Sequence, residues 1–152
     1  MLNNIIMTKT VMALTLLLVS ILAHAASEIN TGFLGNTAIK GYDAVAYFKE
    51  DQAVRGNRDF EHEWKGATWR FSSQENRDAF AAEPEVYAPQ YGGYCAYAVS
   101  QNYTASIDPE QFTIVDDKLY LNYSKSVKET WLANRDQYII DANNNWPGVL
   151  NQ

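Results

Sequence analysis

Two side chains in this sequence have the chemistry to bind a soft metal ion or to attack a substrate. Cys95 is the single cysteine of the chain, and His62 is one of two histidines, the other being His24 in an apolar N-terminal stretch. A thiolate and a neutral imidazole are ligands suited to a soft transition metal such as copper(I). The same pair could act as a nucleophile and its general base. Free cysteine is also often buried and inert, and a lone cysteine in an exported protein can form an intermolecular disulfide, so four interpretations of Cys95 stay open.

Tyrosines and glycines surround Cys95 in the stretch "QYGGYCAYA", residues 90–98. Tyr91, Tyr94 and Tyr97 are candidates for contacting a ligand, because a tyrosine ring offers an apolar face and a polar hydroxyl group. The same tyrosines could instead pack in the core or form a face that docks a protein partner. The two glycines indicate a tight turn or a close approach of another segment.

The N-terminal segment has the pattern of a secretory signal peptide. Lys9 precedes an apolar run from Val11 to Leu22, and residues 23–25 form a small-x-small cleavage site. The run is shorter than the roughly 20 residues that a membrane span needs. We predict a signal peptide at 1–25, an N-terminal arm at 26–40 and one folded domain at 41–150. Cleavage near Ala25 predicts an exported protein, periplasmic or secreted.

The charge of the chain limits the classes of partner that it can bind. The formal net charge is −6, with lysine and arginine scattered along the sequence. Nucleic-acid binding needs a basic face, so we expect no nucleic-acid partner. We also expect no membrane span, and the sequence identifies no protein partner.

Hydrophobic patterns predict an α+β domain. In "FEHEW" the residues Phe60, His62 and Trp64 share one face of a strand, and "ATWRF" returns after a Lys65-Gly66 turn. "FTIVDDKLYLNY" predicts a second hairpin, and "GYDAVAYF" a turn followed by a short strand. Ser72, with Glu75 three residues later, fits a capping box and predicts a helix from about Gln74 to Ala82 that Pro84 ends. One long helix, capped by Ser124 or Ser126, is predicted at the C-terminus. We therefore expect a small antiparallel sheet built from hairpins, with helices packed on it and a long C-terminal helix.

The chain resembles the YHS-domain family, and more closely an exported single-domain bacterial branch of it. The motifs are "GYDAVAYF", "PQYGGYCAYA", "LYLNYSK" and the segment from "FEHEW" to Tyr87, all in order. The matching residues in the early part are Asp43, Val45, Trp64, Gly66, Trp69, Phe71, Ser73, Phe80, Pro84 and Tyr87. The resemblance makes 41–150 a YHS-like domain.

The family's metal-binding cysteines are missing from this sequence. The resemblance places them at positions 46, 72 and 76, where this chain has Ala46, Ser72 and Asn76. None of these replaces a thiolate as a ligand of a soft metal. The resemblance therefore implies an exported binding module, for a metal ion or a small ligand, whose cysteine cage is lost. The alternatives are a thiol-dependent enzyme using Cys95 with His62, and a protein-interaction module with a tyrosine-rich face.

Overall fold

The computed structural model describes residues 25–152, so the predicted signal peptide, apart from Ala25, lies outside the described residues. The strands in this range are β1 (Asn57–Trp64), β2 (Ala67–Phe71), β3 (Asp108–Val115) and β4 (Lys118–Asn122). The helices are α1 (Ala46–Lys49), α2 (Gln74–Ala82), α3 (Pro84–Tyr87), α4 (Ala96–Ser100), α5 (Lys125–Ala133) and α6 (Arg135–Asn145). The chain is an α+β domain, as the sequence predicted.

Both predicted hairpins form, but they do not join into one sheet. β1 pairs with β2 and β3 with β4, each pair antiparallel, as two separate two-stranded sheets. The outer edge of β2 is partly occupied by the N-terminal arm, because Thr37 bridges Thr68 in parallel and the Thr68 N–H donates to the Asn36 carbonyl at 2.7 Å. An occupied edge cannot accept another strand.

The segment "GYDAVAYF" is a helical turn, so the short strand expected there was wrong. Asp43 Oδ1 accepts hydrogen bonds from the backbone N–H groups of Val45 (2.8 Å) and Ala46 (3.1 Å). A carboxylate that satisfies the free N–H groups of the first turn favours a helix start over a strand. α1 begins at Ala46 as a result.

Helix α2 has the predicted bounds, but its cap is Ser73 rather than Ser72. The Ser73 hydroxyl accepts from the Asn76 N–H at 3.1 Å. Ser72 instead binds the carboxylate of Asp43. A contact distant in sequence therefore decided between two adjacent serines.

The C-terminal helical segment is divided into α5 and α6 at Asn134. Ser124 caps α5 by accepting from the Val127 N–H at 3.3 Å, as predicted. Asn134 lies at φ −142° and ψ 40°, outside the helical region, and interrupts the single helix that the sequence suggested. The side chain of Asn134 makes no capping hydrogen bond to α6.

Strand β4 separates two buried clusters. Leu119 and Leu121 face the cluster that contains the first hairpin and α2, whereas Tyr120 faces Trp131 at a ring-centroid distance of 5.4 Å, beneath α5 and α6. Alternate side chains of a strand point to opposite faces, so β4 is buried on both sides. None of the helices between residues 25 and 152 is both long and apolar enough to cross a bilayer.

Candidate functional site

A buried carboxylate occupies the place where the family resemblance puts metal-binding cysteines. Asp43 is fully buried. Its Oδ1 accepts from the backbone of Val45 and Ala46, and its Oδ2 accepts from the Ser72 N–H (2.8 Å), the Ser72 hydroxyl (2.7 Å) and the Asn76 amide (2.8 Å). Positions 46, 72 and 76 thus meet around one anion.

This arrangement does not fit a metal ion. The groups that point at Asp43 are N–H and O–H donors, which bind an anion and repel a cation. Both carboxylate oxygens are already occupied by these donors. Across residues 25–152, no group of three or more His, Cys, Asp and Glu side chains is arranged to hold a metal. The donor network around Asp43 ties α1 to the start of α2 in place of a metal cage.

Cys95 lies in the core with 1 % of its surface exposed. Its Sγ donates to Asn122 Oδ1 at 3.6 Å, and the same oxygen accepts from the Tyr97 N–H at 3.3 Å. Burial raises the pKa of the Cys95 thiol, and nearby backbone N–H groups only partly oppose this. A raised pKa keeps the thiol neutral, which is the opposite of an activated nucleophile.

His62 lies on the face of β1 that the alternation predicted. Its ring is half-buried and meets Phe80 edge-on at 6.1 Å between centroids. The contact of the Cys95 sulfur is Asn122, on β4, whereas the ring contact of His62 is on α2. A shared metal at Cys95 and His62 stays a prediction from the sequence.

The three candidate tyrosines have different partners. The Tyr91 hydroxyl donates to Asn143 Oδ1 at 2.9 Å, and the Tyr94 hydroxyl donates to the Ser27 carbonyl at 2.8 Å. The rings of both lie near Trp146, at 6.0 and 6.2 Å between centroids. Tyr97 instead packs edge-on against Tyr138 at 5.2 Å. Tyr91 and Tyr94 therefore meet at Trp146, away from Tyr97's contact.

The double glycine of "QYGGY" seats the N-terminal arm. Gly92 has φ +60°, and a Cβ there would overlap the carbonyl oxygen of Glu28. The Asn30 N–H donates to the Gly92 carbonyl at 2.8 Å, and the Asn30 amide donates to the Gly93 carbonyl at 3.1 Å. Glycine is required where another backbone passes this closely. The close approach fixes Glu28 beside the turn.

A cleft lies where the arm, the first hairpin turn and the Gln90–Gly93 turn meet. Its volume is about 170 Å³. Aromatic residues Trp64, Tyr91 and Trp146 line it, together with the polar residues Glu28, Lys65, Glu85 and Gln90. Ligand pockets typically measure about 300–1,000 Å³, so this cleft suits a small molecule or one end of a larger one.

The side chain of Lys65 forms part of the wall of this cleft. Its Nζ is 2.6 Å from Glu28 Oε1 and 4.8 Å from the centroid of the Trp64 ring. Lys65 has φ +49° and Gly66 φ +72°, a pair of left-handed residues in a two-residue hairpin turn. Such turns favour Asn, Asp or Gly at both positions, and another residue there costs about 1–2 kcal/mol. The position is unusual for lysine.

Of the predicted candidates, only Tyr91 lines this cleft. Tyr94 packs against Trp146, which lines the cleft. Cys95, His62 and Tyr97 contact Asn122, Phe80 and Tyr138, and none of these residues lines the cleft. Sequence reasoning missed Glu28, Lys65 and Trp146, which come from three distant segments. The only signal for Lys65 was its place in a predicted turn.

A comparison with known proteins identifies the first part of this domain. The family model described as "YHS domain" matches residues 45–91. The match runs from the start of α1 through both strands of the first hairpin to Tyr91, so Cys95 and the second hairpin lie beyond it. No curated protein and no solved structure shows significant similarity to the chain. This match covers less than half of the chain, and it supports the YHS resemblance for residues 45–91.

Proposed function

We propose that this protein is a binding module for a small organic ligand, held in the cleft between the arm and the first hairpin. The observation that carries the proposal is the lining: aromatic walls from Trp64, Tyr91 and Trp146 beside a few polar side chains. Small-molecule sites combine apolar and aromatic walls with a small number of placed polar groups. Trp64 and Tyr91 belong to the segment that matches the YHS model, whereas Trp146 lies outside it.

A small ligand agrees better with the geometry than the two other uses of the candidate residues. The donors around Asp43 disfavour a cation at the former cysteine positions. The buried, neutral thiol of Cys95 disfavours nucleophilic catalysis. The cleft, in contrast, has exposed or half-buried residues in its wall, such as Glu28, Trp64 and Lys65, beside the buried Tyr91.

We also propose that the protein acts after export, with the arm beginning near Ala26. This rests on the signal-peptide pattern of residues 1–25. N-terminal sequencing of the protein recovered outside the cytoplasm should begin at Ala26. Recovery of uncleaved chain in the cytoplasm alone would overturn it.

The four tryptophans provide an internal test of the binding site. Trp64 and Trp146 line the cleft, whereas Trp131, a residue of α5, is fully buried. In a ¹⁵N-labelled sample, each indole N–H gives its own NMR signal. A ligand in the cleft should shift the Trp64 and Trp146 signals in a saturable way and leave that of Trp131 in place.

The titration uses a panel of neutral sugars, small carboxylates and small amines. The proposal expects at least one class to saturate the two signals below about 10 mM, a concentration that corresponds to weak binding. A Trp146→Leu variant should lose the response, whereas Tyr103→Ser, at an exposed residue outside the cleft, should keep it. If all three classes leave Trp64 and Trp146 unmoved, the proposed function is wrong.

A further inference from the structure

We infer that the ligand of this cleft is an organic ammonium ion, which takes the position now held by the ammonium group of Lys65. The inference rests on the proposed function and specifies the chemistry of its ligand. Lys65 then acts as a built-in competitor that covers the site when no ligand is bound.

The first argument is that the cleft already holds an ammonium group. Lys65 Nζ lies 4.8 Å from the centroid of the Trp64 ring and 2.6 Å from Glu28 Oε1. An aromatic face within about 6 Å and a carboxylate are the two features that proteins use to bind organic cations. The contacts that hold Lys65 are therefore those that a ligand ammonium would make.

The second argument is the charge of the lining. The ionised side chains that line the cleft are Glu28, Glu85 and Lys65. Lys65 pairs with Glu28, while Glu85 forms no ion pair within residues 25–152. One carboxylate is left without a counter-charge, on a chain whose formal net charge is −6. The field in the cleft attracts a cation and repels a carboxylate or phosphate.

The third argument is the backbone of Lys65. It has φ +49° in a hairpin turn where Asn, Asp or Gly would be favoured. Residues kept in unfavourable backbone conformations are often found where their side chains have a role. Here the side chain reaches over the Trp64 ring to Glu28, and all three residues line the cleft.

Lys65 can leave without disturbing the fold. Its side chain is 37 % exposed and that of Glu28 is 53 % exposed. Exposed ion pairs contribute little to stability, because water solvates both partners well. A ligand that brings its own ammonium group can therefore replace Lys65, whose head then moves into solvent.

A second depression gives room for the rest of such a ligand. It has a volume of about 340 Å³ and shares Trp64 and Glu85 with the cleft. Its further lining includes Ala82, Pro84 and Val86. An apolar substituent on the ammonium ligand can lie against these residues while the charged end stays between Trp64 and Glu28.

The test compares choline with 3,3-dimethyl-1-butanol, its neutral counterpart of nearly the same shape. Binding is followed through the indole N–H signals of Trp64 and Trp146 and by calorimetry. We expect choline to bind and the neutral compound to bind at least about tenfold more weakly, since the cation–π and carboxylate contacts need the charge. Choline affinity should also fall as salt is raised.

Variants test the role of Lys65. Lys65→Gln removes the competitor and should strengthen choline binding about three- to tenfold. Lys49→Gln is the matched control, because it removes the same charge from a lysine that pairs with Glu75 (2.8 Å) and does not line the cleft. Glu85→Gln should weaken choline binding by a similar factor.

The outcomes separate this inference from the proposed function. Equal binding of choline and its neutral counterpart, or a response to sugars or carboxylates without one to choline, overturns the ammonium ligand and leaves the binding module standing. Weaker choline binding by Lys65→Gln overturns the competitor role. No response of Trp64 and Trp146 to any compound overturns the proposed function itself.

Discussion

Replacing Gly92 by alanine tests whether the double glycine exists to admit the N-terminal arm. Alanine at φ +60° costs about 1–2 kcal/mol for the left-handed backbone alone. Its Cβ would also overlap the Glu28 carbonyl oxygen, which belongs to backbone and cannot rotate away. Either the turn or the arm must therefore move.

The cost of this overlap has an upper limit, because the arm can detach. Detachment exposes Ile29, which is 97 % buried and worth about 1.5–3 kcal/mol. It also breaks the hydrogen bonds from Asn30 to Gly92 and Gly93, at about 0.5–1.5 kcal/mol each. Conformational entropy regained by the free arm offsets part of this. We expect Gly92→Ala to lower the free energy of unfolding by about 2–5 kcal/mol.

Gly66→Ala is the matched control. Gly66 has φ +72°, but a Cβ there would meet nothing within 4 Å. Gly66→Ala should lower the free energy of unfolding only by the cost of a left-handed backbone, about 1–2 kcal/mol. Urea unfolding gives both free energies, and limited proteolysis reports release of the arm near Glu28 in Gly92→Ala alone. Equal destabilisation of the two variants, with the arm still protected, would refute the close-approach argument.

Three further predictions concern the buried groups. Asp43→Asn should lower the free energy of unfolding by about 3 kcal/mol or more, because the NH₂ group of the new side chain must face an N–H or O–H donor. Asn76→Ala removes only one donor and should lower the same free energy by about 1–2 kcal/mol. Urea titrations that give the reverse order would contradict the network. Cys95 should resist thiol reagents in the native protein and react on unfolding, and rapid native labelling would contradict its burial. Burial raises the pKa of Cys95 in the folded state, so its contribution to the free energy of unfolding should be complete at pH values below the ordinary thiol pKa. This contribution should be lost as the pH rises from the ordinary thiol pKa towards the raised one, which urea titrations between pH 7 and 10 would measure.

The buried carboxylate explains how a YHS segment can keep its shape with Ala46, Ser72 and Asn76 at the cysteine positions of the resemblance. A metal cage joins distant segments by ligating them to one cation. Here Asp43 joins the start of α1 to the start of α2 by accepting from five donors. The sign of the central charge is thereby reversed: a metal cage has a cation at its centre, whereas this site has a carboxylate that accepts hydrogen bonds.

Local sequence predicted the elements whose signals are complete within a few residues. The alternation of Phe60, His62 and Trp64 gave the first hairpin, and the bounds of α2 followed from its caps and proline. The order of residue types also predicted the YHS resemblance, which the family model supports for residues 45–91. Some errors came where a distant partner decided, as with Ser72, which binds Asp43, and with the edge of β2, which Thr37 occupies. The strand expected at α1 was wrong for a local reason, because Asp43 caps Val45 and Ala46.

The cleft could not be predicted in this way. Glu28, Lys65 and Trp146 come from the arm, the hairpin turn and the C-terminal end, and no local pattern relates them. Cys95 attracted interest because it is unique in the sequence, yet the structure buries it beside Asn122. Uniqueness in a sequence carries no information about solvent access.

The sequence alone predicted the two hairpins, the bounds of α2, the absence of thiolates at positions 46, 72 and 76, and the acidic charge. Each of these depends on residue type and near neighbours alone. Only the tertiary structure decided that an anion fills the place of the cage and that a cleft opens beside Lys65. Hydrogen bonds and cavities form between segments far apart in the chain, so they exist only once packing has brought those segments together.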